Sequence, residues 1–139
     1  MRRRNGMNGV KGLLTSNSMR MMEKSLEFLW VKQAAHLDNI SNAETPGYKN
    51  KTVTFEEHFE TRLRAAMRRG NVLGRRAAAE IIEDSGWTVW EDDEDTRMDG
   101  NGVNVTEQMV ETMRTAYQQQ YLFQTITSDI STLRSAITG

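Results

Sequence analysis

Residues able to do chemistry are few in this chain and poorly placed for it. His36 and His58 are its two histidines, and it has no cysteine. Neither histidine stands at a metal-ligand spacing from another such donor, so both read as solvated side chains on helix faces. No Ser or Thr sits in a nucleophile elbow, and no glycine-rich loop has a phosphate-binding form. Glu91-Asp92-Asp93-Glu94-Asp95 with Asp99-Gly100-Asn101-Gly102 has the composition of a calcium loop. The register fails, because with Gly100 at the sixth position the third is Arg97. A solvated acidic loop is the expectation. Arg62, Arg64, Arg68, Arg69, Arg75 and Arg76 form a basic stretch without interleaved aromatics, followed by nine acids between Glu80 and Asp99. The two read as complementary charged surfaces, within a subunit or between subunits, rather than as a nucleic-acid site. Trp30, Trp87 and Trp90 read as packing residues. The sequence therefore predicts no catalytic residue, metal, cofactor, nucleic-acid partner or small-molecule substrate.

The elements that carry these residues point to assembly. Leu, Ile, Val and Phe number 27 of 139 residues, near the boundary with disordered chains. The net charge of −1 argues against a self-repelling coil. A thin core is expected, completed by partners. No apolar run approaches the roughly 20 residues needed to span a bilayer. Met1-Arg2-Arg3-Arg4 leads into Asn5-Gly6-Met7-Asn8-Gly9 instead of an apolar segment, so no cleaved secretory signal is expected.

A mainly α fold is predicted in four segments. Residues 1–17 form a flexible arm. Residues 18–44 form a helix in which Met19, Met22, Leu26, Leu29 and Ile40 follow a three-four spacing, interrupted by Gln33 and His36. Trp30, Ala34 and Leu37 widen that stripe. Residues 45–103 hold a turn, an extended run from Lys49 to Phe55, and a short helix. In that helix Phe55, Phe59, Leu63, Ala66 and Met67 recur at helical spacing, until Gly70 and Gly74 break it. Ala77 to Glu83 is helix-prone, Trp87 to Trp90 suggests a strand, and a loop runs from Glu91 to Gly102.

Residues 104–139 form the clearest helix, with Asn104 as cap and Glu107 completing a capping-box pattern. Met109, Ala116, Phe123, Ile130 and Ile137 lie seven apart, with Thr112, Gln119, Ile126 and Leu133 as companion track. A repeat held this long implies a left-handed supercoil against another helix. The N-terminal helix is the obvious partner, giving an antiparallel coiled coil. Its expected seam is Leu26, Leu29, Leu37 and Ile40 against Met109, Ala116, Phe123, Ile126, Ile130, Leu133 and Ile137. Leu122 lies off both tracks.

Between the helices stands Asn39-Ile40-Ser41-Asn42-Ala43-Glu44-Thr45-Pro46-Gly47-Tyr48-Lys49, with the one proline of the chain. Proline disfavours helix at the residue before it, so the upstream helix should stop by Glu44. Pro46-Gly47 fits the central positions of a type II turn. Asn39 and Asn42 are placed to turn side-chain amides toward carbonyls left open at the helix end.

This eleven-residue string, with Ser41 where alanine is usual, resembles the N-terminal signature of bacterial flagellar axial proteins, the rod and hook subunits. The signature positions are Asn39, Ile40, Asn42, Ala43, Thr45, Pro46, Gly47, Tyr48 and Lys49. Asp99-Gly100-Asn101-Gly102-Val103-Asn104-Val105, Glu107-Gln108-Met109-Val110-Glu111 and the ending Leu133-Arg134-Ser135-Ala136-Ile137-Thr138-Gly139 resemble the proximal rod family FlgB. The sibling family FlgC normally has a Pro-Asn-Val step, which Val103-Asn104-Val105 lacks. The resemblance covers 18–60 and 98–139, while the Arg-rich, Trp-containing middle departs from it. It implies a structural subunit of the periplasm-spanning rod, exported without a cleaved signal by the flagellar type III apparatus, with terminal helices lining the axial channel. Implied partners are further copies of the chain, other rod proteins and the adaptor joining rod to membrane ring. The alternative from another class is a soluble coiled-coil adaptor or regulator.

Overall fold

The computed structural model describes residues 16–92 and 98–139. In chain order the elements are α1 (Asn17–Ser41), β1 (Lys51–Phe55), α2 (Phe59–Met67), α3 (Val72–Asp84), β2 (Trp87–Glu91) and α4 (Val105–Thr138). Most of the arm expected at 1–17, and residues 93–97 of the acidic loop, lie outside the described residues. The described residues form two compact units: 16–25 with His58–Ser85, and Leu26–Glu57 with 86–92 and 98–139.

In the first unit, Ser16 Oγ accepts from Met19 N–H at 3.2 Å, a helix-initiating bond. α1 therefore starts at Asn17. The α2–α3 hairpin buries Phe59 and Ala66 against Gly74, Ala78 and Ile82. Gly70, at φ +61°, ends α2, as expected of a glycine past a helix C-terminus. Gly74 does not break a helix as its type suggested. It lies inside α3, where a Cβ would come within 2.7 Å of Ala66 O, so glycine is what lets the two helices approach. Asn71 caps α3 by accepting from Gly74 N–H at 2.8 Å. The start of α1 joins this unit through Asn17 Nδ2, which donates to Arg75 O at 3.0 Å, and an Arg20–Glu83 ion pair.

In the second unit, β1 and β2 pair antiparallel, Val53 opposite Val89 and Phe55 opposite Trp87. Phe55 ends β1, as the extended run from Lys49 predicts, and does not head the short helix; Phe28 of α1 meets its ring edge-on with centroids 5.4 Å apart. Phe28 also packs on Trp87. Trp30 and Trp90 are more than half exposed, so of the three tryptophans only Trp87 packs in this core.

α1 and α4 pack against each other antiparallel. Lys32 reaches Glu111 at 3.4 Å, His36 reaches Gln108 at 2.7 Å, and Asn39 reaches the same Gln108 at 3.1 Å. The face of α4 that turns inward is one position round from the main expected track. Gln108, Thr115 and Gln119 are buried there, and Val105, Thr112, Leu122 and Ile126 are half-buried. Leu122 thus stands on the inner face rather than off it. Met109, Ala116, Phe123, Ile130, Leu133 and Ile137 are exposed, Ile137 at 84%. On α1, Leu29 is buried and Leu26 and Ile40 are half-buried, whereas Trp30, Ala34 and Leu37 face out and do not widen the stripe. Length contributes. At about 1.5 Å per residue the 25 residues of α1 are shorter than the 34 of α4, and positions 131–139 are all exposed.

Candidate functional site

Thr45, Pro46, Gly47 and Tyr48 form a β-turn closed by Tyr48 N–H donating to Thr45 O at 3.2 Å. Gly47 has φ +69°, the left-handed value a type II turn requires at its third position. Upstream, Asn42 Nδ2 donates to Asp38 O at 2.9 Å, a carbonyl that also accepts the Asn42 N–H at 3.1 Å, so the expected amide adds to a helix bond and does not close an open carbonyl. Thr45 N–H donates to Asn42 O at 2.9 Å, so the chain leaves the helix through consecutive bonded turns.

The second motif clasps this turn. Gly47 N–H donates to Asp99 O at 3.1 Å, and Gly102 N–H donates to Tyr48 O at 3.0 Å. Asn101 is wholly buried. Its Nδ2 donates to Asn42 O at 3.0 Å and Thr45 O at 2.8 Å, while its Oδ1 accepts from Val103 N–H at 2.8 Å. Asp99 Oδ1 accepts from Asn101 N–H at 3.1 Å, and Gly100 takes φ +73° beside Gly47. Asn104 then caps α4 by accepting from Glu107 N–H at 3.3 Å. Ala43 and Val103 are both buried here.

Asn39 anchors the other side. It is also wholly buried, and it pairs with the backbone of Lys51 as a strand neighbour would. Its Nδ2 donates to Lys51 O at 2.8 Å, and its Oδ1 accepts from Lys51 N–H at 2.8 Å. Gln108 Oε1 accepts from Asn39 Nδ2 and from His36 Nδ1, which fixes the histidine tautomer with its proton on Nδ1. Gln108 Nε2 donates to Asn50 Oδ1 at 3.2 Å. His36 is therefore buried, not solvated: Gln108, on a helix far along the chain, supplies the acceptor that lets it leave water. His58 is exposed and precedes α2.

One ionic cluster borders the network. Asp38 accepts from Lys51 Nζ and, at 3.3 Å, from Tyr48 OH. The Lys51 hydrogen bond holds the Asp38 carboxyl below its ordinary range, and the same bond holds the Lys51 ammonium up. Burial, followed by the charge of Asp38, raises the Tyr48 phenol. Among the described residues no group of three or more His, Asp or Glu is placed to hold a metal ion.

Of the signature residues, the fold thus brings Asn39, Asn42, Ala43, Thr45, Gly47 and Tyr48 into one bonded unit with the second motif. Pro46 and Lys49 stay exposed at its rim, and Ile40 is half-buried. Asp38, His36, Asn50, Lys51 and Gln108 belong to the site without having been singled out for it. Asp38, His36 and Gln108 are polar residues on helices, and Asn50 and Lys51 are polar residues just before and at the start of β1, so residue type alone gave no sign of a shared site.

The site is thus two long helices tied at one end by interlocked polar loops, with the string Asn39–Lys49 forming one of those loops. The chain matches no family model. It is similar to the flagellar basal body rod protein FlgB of Bacillus subtilis (strain 168), 27% identical over 130 residues, covering 91% of this chain and 97% of that one. This similarity, and the resemblance of Asn39–Lys49 to the flagellar axial signature, both support a relationship to the FlgB family of flagellar basal-body rod proteins.

Proposed function

We propose that the chain is a structural, non-enzymatic subunit of the proximal rod of the flagellar basal body. It is exported by the type III apparatus and assembles around the export channel. Its neighbours there are copies of itself, other rod proteins and the adaptor that joins rod to membrane ring. The observation that carries this reading is the apolar track Met109, Ala116, Phe123, Ile130 and Ile137, which α4 keeps exposed along its length while its polar face meets α1. A single chain gains nothing from that arrangement, whereas neighbouring subunits would bury the track. The clasp between the two motifs sets where α4 leaves α1, and so fixes the angle at which the track is offered.

The test is complementation of a strain lacking the protein. Ile130→Asp is expected to abolish motility and basal bodies carrying rods, because a charge in a buried seam is left desolvated. Ser128→Asp, on an exposed position, is expected to support both. Equal behaviour of the two variants would remove the track as the assembly surface.

A further inference from the structure

The α2–α3 hairpin tip carries cationic and apolar side chains that nothing in its own unit uses. Of the six arginines there, Arg62 is paired with Asp84 and Arg64 with Glu60. Arg68, Arg69, Arg75 and Arg76 are exposed and make no ion pair with any described residue. No acidic residue occurs between Glu60 and Glu80 to neutralise them. Nor do they serve the helix: Arg75 and Arg76 sit in the opening turns of α3, which has no acid in its first turn. Cations there oppose the helix dipole.

Three large apolar side chains share the tip. Met67, Val72 and Leu73 are 64%, 64% and 65% exposed. The backbone beneath is well held, by the Asn71 cap and by the close approach at Gly74. The tip thus carries two exposed arginine pairs, Arg68–Arg69 and Arg75–Arg76, within a few residues of an exposed apolar group.

We propose that this apex docks on an anionic phospholipid surface, with the guanidinium groups on headgroup phosphates and Met67, Val72 and Leu73 in the acyl boundary. Arginine's fork suits phosphate oxygens, and exposed apolar residues close to cations are what a charged interface accepts. An acidic polypeptide would satisfy the charge and leave the three apolar side chains in water. A nucleic acid would do the same, and the apex offers it no aromatic to stack on. The hairpin shares no residue with the clasp or the α4 track, so this proposal stands independently of rod assembly.

The experiment is flotation of the full chain with vesicles, either phosphatidylcholine alone or phosphatidylcholine with phosphatidylglycerol, at about 0.1 M salt. Circular dichroism of each variant checks that helix content is kept. Partition onto the anionic vesicles is expected to exceed that onto the neutral ones by at least about tenfold. Arg69→Glu with Arg75→Glu is expected to remove that excess. Met67→Ser with Leu73→Ser, which leaves the charge unchanged, is expected to weaken anionic binding by about tenfold. Equal partition onto both vesicles would overturn the proposal. So would an apolar double variant that binds like the parent, or tighter binding to polyglutamate or a DNA duplex than to the anionic vesicles.

Discussion

Gly47 holds its φ of +69° in open space, with nothing within 4 Å of where a Cβ would stand. The turn therefore needs glycine for its backbone and not for room. Gly47→Val is expected to lower stability by about 1–2 kcal/mol, and Gly47→Asn by clearly less, because asparagine visits the left-handed region far more readily. Urea midpoints of the two variants check this, and equal losses would mean that crowding sets the cost. Thr115 poses the opposite case. It is wholly buried in α4, and its Oγ1 meets no partner, although Thr112 in the turn before donates to Gln108 O at 2.7 Å. Thr115→Val keeps the shape and removes an unsatisfied hydroxyl, so it is expected to raise stability by about 1 kcal/mol. A lower melting temperature would show that the hydroxyl is bonded in solution.

The Asp38–Lys51 pair gives a residue-scale pH dependence whose sign follows from its two shifts. Asp38 is held below its ordinary 3.8, so its contribution is full above that value and disappears as pH falls through the depressed one. Lys51 is held above its ordinary 10.5, so its contribution is full below that value and disappears as pH rises through the raised one. Stability differences between the parent and Asp38→Asn should be level from about pH 5 to pH 9 and shrink only in strong acid or alkali. Denaturant titrations at a series of pH values measure this, and a difference that changes near neutrality would point to another group.

At the scale of elements, what was legible followed from backbone rules, and what was not followed from polar burial. Proline before a glycine of free φ made the turn at Thr45–Tyr48 readable, and Asn104 with Glu107 made the start of α4 readable. The strands could be placed because Lys49–Phe55 and Trp87–Trp90 are extended-prone, but not their pairing across the intervening hairpin. The clasp was hidden for a different reason. His36 looks like an interruption of an apolar stripe and Gln108 like part of a polar face, yet this buried pair joins α1 to α4. Apolar periodicity finds the face with the most to bury, and in α4 that face is not the one used within the chain. Leu122→Asp should accordingly lower the melting temperature of the isolated chain, since Leu122 is half-buried on the inner face. Ile130→Asp, at an exposed position, should leave it nearly unchanged. A reversed order would put α1 on the outer track.

For the whole molecule, these two faces divide stability between folding and assembly. Gln33 Oε1 and His36 Nε2 of α1, and Thr115 Oγ1 and Gln119 Nε2 of α4, are buried without protein partners, each a cost that an apolar side chain would not bear. The α1–α4 contact is firm at the clasp, where Asn39, Asn101 and Gln108 are bonded, and weak further along. The distal part of α4 has Phe123, Ile130, Leu133 and Ile137 exposed, with Ile126 half-buried, and so little tertiary packing to hold it helical. Dilute chain should therefore show slow amide exchange at Asn39–Ala43 and Val103–Thr115 and fast exchange beyond about Phe123. Raising the concentration should bring protection to the distal part first, because copies that meet through the outer track supply what α1 does not. Ile130→Asp should abolish that concentration dependence while leaving the clasp protected, and Leu122→Asp should reduce protection at every concentration. Uniform slow exchange along α4 in dilute chain would mean that the helix is complete without neighbours, and the exposed track would lose its assembly role.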